Sequence, residues 1–368
     1  MVDKKYFNPV KIVYSNNWLA SCETVLKQLH INNPLIIASN GCIRQLNLES
    51  IFPVESICSR VKPNPTVVST QQAVDFSQKQ DFDGVIAIGG GSSMDTGKAV
   101  MACLGSGLKT IGELLKIKSP YKNRVPAVFI PTTHGTGSEV TMWGTIWDMK
   151  EKEKHSISHP DLYPDIAILD GSLTLSLPLD ISMITTMDAL SHSFESIWNK
   201  NANPKSTEYA IQAIELILEN FHCIKVDLNN LIARQNLLKA STLAGLAFSN
   251  TRNAAAHSIS YPFTAYFNVP HGIAASFALL PLLEINGPLI QNEIKKIQMR
   301  LNLKNTEELK EKIAEIHDSV LKYKLREWNV KYEQLDWLAA KSFKKGRMEN
   351  NIVDLTKEDI RRILGEIY

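Results

Sequence analysis

Asp188 and His192, four residues apart in MITTMDALSHSFESIW, put a carboxylate and an imidazole on one face of a predicted helix, one turn apart. Such a pair can share a cation. Two more imidazoles follow in the chain. His257 lies in TRNAAAHSISYPF, predicted as a second helix, and His271 follows a proline in NVPHGIAASF, where a third helix is predicted to begin. One carboxylate oxygen and three imidazole nitrogens suit a divalent metal of intermediate softness, such as Fe(II), Zn(II) or Co(II). The competing reading is an ordinary polar pair on a helix face, with a core histidine and a helix cap, because Asp-x-x-x-His by itself is a common pattern.

The elements that must position these groups fall into two kinds. In the first half, short apolar runs at Val10 to Tyr14, Leu35 to Ala38, Gly84 to Ile88, Pro126 to Ile130 and Ile166 to Leu169 alternate with amphipathic stretches such as Trp18 to Leu29 and Thr66 to Gln80. That rhythm predicts a mostly parallel sheet covered by helices, with chemistry at the carboxyl ends of its strands. The loop after the Gly84 strand is Gly89-Gly90-Gly91-Ser92-Ser93-Met94-Asp95-Thr96-Gly97-Lys98. Its glycines let backbone N–H groups approach a diphosphate, and a helix predicted from about Ser92 aims its positive end at the same place. It is neither G-x-G-x-x-G nor a P-loop, and a tight strand-to-helix turn is the alternative. After the next strand comes Pro131-Thr132-Thr133-His134-Gly135-Thr136-Gly137-Ser138-Glu139-Val140-Thr141, a second loop rich in small donors. Two such loops on one sheet argue for a dinucleotide.

From Thr141 to Ser158 the pattern predicts an antiparallel hairpin with a charged tip. Beyond GSLTLSLP, closed by Pro178, every periodic stretch reads as helix, including Asp180 to Asn199, Ser206 to Glu219, Leu231 to Phe248, Ala254 to Tyr261 and Gly272 to Ile285. The expected layout is an α/β dinucleotide-binding domain over residues 1–176 and an all-helical metal-binding domain over residues 177–368, with the catalytic cleft between them.

Length and composition agree with this layout. A chain of 368 residues can bury two cores, and a formal net charge of +2 implies no polyanion partner, so neither nucleic acid nor membrane is expected. The amino terminus has no apolar h-region and no apolar run is read as approaching spanning length, which points to a cytoplasmic address. Cys22, Cys42, Cys58, Cys103 and Cys223 have no C-x-x-C spacing and are read as inert thiols.

Taken together, GGGSSMDTGK, PTTHGTGSEVT, MDALSHSFE and AAAHSISYPFTAYFNVPHG resemble the iron-dependent, or type III, alcohol dehydrogenase family. The resemblance implies a Rossmann-like N-terminal domain and an all-α C-terminal domain in a dehydroquinate synthase-like architecture. It also implies NAD or NADP and a catalytic divalent metal, Fe2+ or Zn2+. On this resemblance Asp188, His192, His257 and His271 are the metal ligands. Gly90, Gly91 and Ser92 form the pyrophosphate loop, Asp95 and Lys98 the polar positions of its helix, and Thr132, Thr133 and Thr136 the nucleotide-facing loop. Lys154 approaches the nicotinamide ribose. The implied reaction is hydride transfer between a nicotinamide and a small aldehyde or alcohol, in a chain that could be a homodimer. Departures from the family pattern are His134, Gly171, Thr186, Tyr261 where many relatives have histidine, and Ser39 where NAD-selective relatives carry aspartate. Tyr261 is therefore a candidate proton donor, and Ser39 leaves room for the 2′-phosphate of NADP. GTIWD, KHS and NANP look like the branch that reduces phosphonoacetaldehyde to 2-hydroxyethylphosphonate, with Arg252 as the candidate phosphonate clamp. Rival readings are a general short-chain alcohol dehydrogenase, another dehydrogenase of the superfamily, and a non-catalytic nucleotide-binding protein.

Overall fold

The strand signals of the first half become one parallel sheet. The structure is a computed structural model, and it describes residues 5–116, 123–151, 153–317, 320–344 and 346–368. The strands are β1 (Lys11–Tyr14), β2 (Pro34–Ala38), β3 (Ile57–Cys58), β4 (Gly84–Gly89), β5 (Ala127–Pro131), β6 (Trp143–Asp148), β7 (Glu153–Ser158) and β8 (Ile166–Leu169). Six of them pair in the order β1-β8-β5-β4-β2-β3, all parallel, and β6 and β7 form the antiparallel hairpin expected from the sequence. The helices of this part are α1 (Trp18–Gln28), α2 (Asn40–Gln45), α3 (Val67–Ser77), α4 (Gly91–Ser106) and α5 (Ile111–Lys116).

Both sheet faces are covered, which is why the strands read as unbroken apolar runs rather than alternating ones. Side chains of a strand alternate between faces. Accordingly Leu35, Ile37, Val85, Ala87, Ala127 and Phe129 pack with Ala73, Val74, Ala99 and Ala102 of α3 and α4. Ile36, Ala38, Ile86, Ile88, Val128 and Ile130 pack on the other side with Cys22 and Val25 of α1 and Cys42 and Ile43 of α2. The two-residue β3 is too short to give a periodic signal and was not expected.

The second part is helical: α6 (Leu179–Ile197), α7 (Pro204–Val226), α8 (Leu231–Thr251), α9 (Ala255–Phe267), α10 (His271–Ser276), α11 (Leu279–Asn286), α12 (Gln291–Leu301), α13 (Thr306–His317), α14 (Leu335–Lys341) and α15 (Lys357–Glu366). Two compact units result, one comprising 9–133 and 138–174, the other comprising 5–8, 134–137 and 175–368. In the helical unit, α6 is buried continuously from Thr186 to Ile197. A helix buried on every side must satisfy its polar side chains internally. Ser191, Ser193 and Ser196 do so by donating to the carbonyls of Met187, Ala189 and His192, each at 2.8 Å. The NANP motif also has a structural role, because Asn203 and Ser206 close a capping box on α7 with Pro204 in the first turn. The helix expected over Ala254 to Tyr261 runs on through Pro262, α9 reaching Phe267. One sequence expectation needs correction. The stretch His271–Leu289 has the length and apolar character of a membrane span, with mean hydropathy 1.4, but 72% of it is buried within the helical unit.

Candidate metal centre and nucleotide-binding loops

Three helices of the helical unit bring the predicted ligands together. Asp188 and His192 sit one turn apart on α6, His257 near the start of α9, and His271 at the first position of α10 behind Pro270. Ligating atoms of Asp188, His192 and His257 all lie within 4.8 Å of one another. His257 Nε2 is 3.4 Å and His271 Nε2 3.9 Å from Asp188 Oδ1. The His192 ring is sandwiched between Phe248 at 4.2 Å and His257 at 4.3 Å, nearly parallel to both, which fixes its plane. His271 alone keeps substantial exposure, 30% of its side chain.

Close approach of α10 to α6 depends on Gly272, since a Cβ there would come within 2.0 Å of the Ile184 carbonyl oxygen. The glycine after His271 therefore sets where that imidazole stands relative to Asp188.

Burial opposes ionisation of Asp188, but the imidazoles of His192, His271 and His257 outweigh it and hold the carboxyl well below the usual carboxylate range. Among the described residues, Asp188 Oδ1 and His257 Nε2 are buried and make no hydrogen bond, although they face each other. Leaving two such atoms orphaned in a protein interior is costly. Ligand atoms about 2.1 Å from a tetrahedral ion are about 3.4 Å from one another. The Asp188–His257 spacing fits that edge and the His271 spacing is 0.5 Å longer, while the donor set of one oxygen and three nitrogens fits a divalent cation of intermediate softness.

Two of the departures from the family pattern form a pair. His134 belongs to the helical unit and is buried, with Nδ1 3.2 Å from Thr186 Oγ1 and Nε2 3.4 Å from Arg234 Nη1. Arg234 is itself buried and donates to Ser182 Oγ at 2.7 Å and to the carbonyls of Leu177 and Leu228, both at 3.0 Å. Burial, with the Arg234 cation next in weight, lowers His134 to about 3, so it is neutral at physiological pH.

In the α/β unit, Gly89 has φ of 142°, and a Cβ there would meet Ser93 Oγ at 2.3 Å. Only glycine fits this turn. Gly90 caps α4 without a side chain, and Gly91 and Ser92 open the helix half-buried, presenting a 16-residue helix N-terminus bare of its own side-chain cap. The Thr132 N–H donates to the Gly89 carbonyl at 2.9 Å, and a Cβ on Gly90 would lie 3.1 Å from Thr133, so the two loops line one another. Thr136 lies on the 134–137 segment, which belongs to the helical unit. Ser39 ends β2 and caps α2, and it is bridged to Arg60. Lys154 pairs with Trp147 across the hairpin, its Nζ 5.6 Å from the indole centroid.

Two expected roles are not supported. Lys98 is wholly buried and gives its ammonium to Ser138 O and Oγ, Thr141 Oγ1 and Trp143 O, between 2.7 and 2.9 Å. It therefore holds the second loop and has no donor left for a nucleotide. Asp95 serves the same loop by accepting from Ser138 Oγ at 3.0 Å. Arg252 ends α8 at φ 65° and ψ 175°, exposed, and lines a pocket of about 330 Å³ with Lys5, Asn201, Asn203, Asn250, Gly346 and Asn350. None of the four predicted metal ligands lines that pocket, so the structure does not bring Arg252 to the metal set.

Sequence reasoning missed Glu195, Lys344 and Arg347. Glu195, on α6 and fully buried, lies 2.7 Å from His257 Nδ1. Tyr261, one turn after His257, is buried beneath the Lys344 ammonium, 3.8 Å from its ring centroid. Burial pushes Arg347 down, opposed by the Glu195 carboxylate. Position alone could have flagged Glu195, which is seven residues after Asp188 and so on the same helix face. Lys344 and Arg347 carry no such signal.

A family profile described as iron-containing alcohol dehydrogenase matches residues 9–171, and one for the C-terminal part of the Fe-containing alcohol dehydrogenase family matches residues 182–368. The chain is 32% identical over 284 residues to the NAD-dependent methanol dehydrogenase of Bacillus methanolicus, covering 74% of this chain and 73% of that protein. It is 34% identical over 230 residues to the choline dehydrogenase of Bacillus subtilis, covering 62% of this chain but only 57% of that protein. A solved iron-containing alcohol dehydrogenase from Thermotoga maritima superposes with a TM-score of 0.83 at 27% identity, covering 99% of each chain.

Proposed function

The chain belongs to the iron-containing alcohol dehydrogenase family, and from that premise we propose that it is a metal-dependent oxidoreductase that reduces a small aldehyde with NADH or NADPH, or oxidises the corresponding alcohol. The observation that carries this reading is the facing, orphaned pair of Asp188 Oδ1 and His257 Nε2 beside His192 and His271. When bound, the cation supplies Lewis acidity at the substrate oxygen and the reduced nicotinamide supplies the hydride. Asp188, His192, His257 and His271 hold the cation. Gly90, Gly91 and Ser92 take the pyrophosphate on the α4 N-terminus, Thr132, Thr133 and Thr136 line the nucleotide, and Lys154 approaches the nicotinamide ribose. Tyr261 Oη gives the proton that turns the reduced oxygen into a hydroxyl, its ring held beneath the Lys344 ammonium.

We further propose that the aldehyde carries an anionic group, as phosphonoacetaldehyde does, the product then being 2-hydroxyethylphosphonate. Support comes from Lys344, which lies over the Tyr261 ring one turn after His257, and from Arg347, whose charge is felt by the Glu195 carboxylate beside His257. They take the part first expected of Arg252.

The test follows oxidation of NADH and NADPH with phosphonoacetaldehyde, propanal and butanal, before chelation, after it, and after Fe(II) or Zn(II) is returned. Activity lost on chelation and restored by metal is expected, with kcat/KM for the phosphonate at least tenfold above propanal. Equal turnover of all three aldehydes would leave a general short-chain alcohol dehydrogenase. No turnover with any of them, metal present, would leave a non-catalytic nucleotide-binding protein.

A further inference from the structure

Glu195 is the group that the proposed reaction does not use. Its side chain is fully buried on α6, and both oxygens are committed to one residue of α9. Oε1 accepts the backbone N–H of His257 at 2.9 Å, and Oε2 stands 2.7 Å from His257 Nδ1. A carboxylate accepts and does not donate, so the proton of the neutral imidazole must sit on Nδ1. In that neutral form, the one a metal binds, Nε2 offers its lone pair on the side of Asp188 Oδ1, 3.4 Å away; without a cation, burial opposes a second proton there but the Glu195 and Asp188 carboxylates favour it. With the proton on the other nitrogen, Nε2–H would donate to Asp188, and the two would satisfy each other and close the site. Chain geometry supports the arrangement from both sides. Glu195 follows Asp188 by two helical turns on one face, and holding the His257 backbone as well as its ring fixes the start of α9. The negative charge of Glu195 is faced by His257 and by Arg347.

We propose that Glu195 is a positioning residue that sets the tautomer and plane of His257, and so makes the Asp188–His257 pair an acceptor-only site for a divalent cation. The inference rests on the metal reading above. Carboxylates behind metal-bound imidazoles act in this way in general, and their loss commonly costs 10- to 100-fold in metal affinity.

Glu195→Gln is the informative change. Gln preserves shape, but its amide either opposes the His257 backbone N–H or donates to Nδ1 and selects the wrong tautomer. Metal-free wild type and variant are titrated with Co(II) and Zn(II) against a competing chelator, with the Co(II) absorption spectrum as a second readout and thermal unfolding of the metal-free proteins as a third. The expected result is a dissociation constant about 10- to 100-fold weaker and an altered Co(II) spectrum, with the metal-free unfolding midpoint near wild type. Wild-type affinity and spectrum in the variant would overturn the proposal while leaving the metal reading intact. Failure of wild type itself to bind one equivalent would overturn both. If Glu195→Gln does not fold, histidine-selective 15N spectra of metal-free wild type decide, with His257 assigned by its loss in His257→Asn. A proton on Nδ1 is expected, and a bare Nδ1 with the only proton on Nε2 refutes the idea.

Discussion

Replacing His134 by asparagine should flatten the acid limb of the stability curve. Folded His134 titrates at about 3, against 6.5 for the free side chain, because burial and then the Arg234 cation disfavour its charged form. Above pH 6.5 neither the folded nor the unfolded chain protonates it, and it contributes no pH dependence. Below that, the unfolded chain takes a proton that the folded one refuses, so folding stability falls as pH drops, until the folded histidine also titrates near pH 3. The slope is about 1.4 kcal/mol per unit well inside this window, which gives a loss of about 1.4 kcal/mol at pH 5.5 and about 3 kcal/mol at pH 4.5. The group is 1% exposed, so solvent screening takes little from these figures.

His134→Asn keeps a side-chain N–H donor within reach of Thr186 and Thr185, and Arg234 retains Ser182 Oγ and two carbonyls. At about pH 7.5 the variant should be less stable by about 1–2 kcal/mol, from the lost packing and the weakened contact to Arg234. Urea unfolding of the metal-free proteins at about pH 7.5, 6.5, 5.5 and 4.5 then measures the gap between them. Every other titrating group is common to both proteins and cancels. The gap should shrink by about 1.4 kcal/mol at pH 5.5 and reverse sign by about pH 4.5. A gap constant from pH 7.5 to 5.5 would mean that His134 is solvated or charged in the native state, and the reasoning about its surroundings would be wrong.

Gly272→Ala should destabilise the helical unit by about 3 kcal/mol and weaken metal retention, because its Cβ collides with the Ile184 carbonyl; wild-type stability in urea would refute the close approach. Ser39→Asp should cut kcat/KM for NADPH at least tenfold while sparing NADH, and Arg60→Ala should raise the KM for NADPH alone, since the two residues meet at the end of β2 where a 2′-phosphate would lie. Equal effects on both cofactors would count against that placement. Tyr261→Phe should lower kcat by about 100-fold with bound metal and the KM for NADH unchanged; an unchanged kcat would make Tyr261 a wall of the pocket and nothing more.

How far the sequence revealed this molecule depended on whether a signal was local. The Asp188–His192 pair was readable because four residues on a helix is one turn, and the Gly89–Gly91 turn because only glycine tolerates the φ that Gly89 adopts. The parallel sheet was readable because strands covered on both faces lose their polar alternation. What stayed hidden was set by distance along the chain. Lys98 was assigned to the nucleotide as a polar position of the glycine-loop helix, and only the fold reveals that its donors go to oxygens 40 to 45 residues away. Arg252 looked like a substrate clamp from its nearness in sequence to His257, yet the α8–α9 joint turns it into another pocket. Lys344 and Arg347, more than 80 residues beyond His257, carried no signal at all. Glu195 stands between the two cases. Its register with Asp188 was on the page, but a carboxylate on a helix is usually solvated, and only complete burial against a histidine from another helix gives it a reason to be there. In this chain the proposed ligands Asp188 and His192 are written in local spacing, while Glu195, proposed to orient their partner His257, is written in packing. Mutations chosen from sequence motifs alone would therefore test the first set and miss the second.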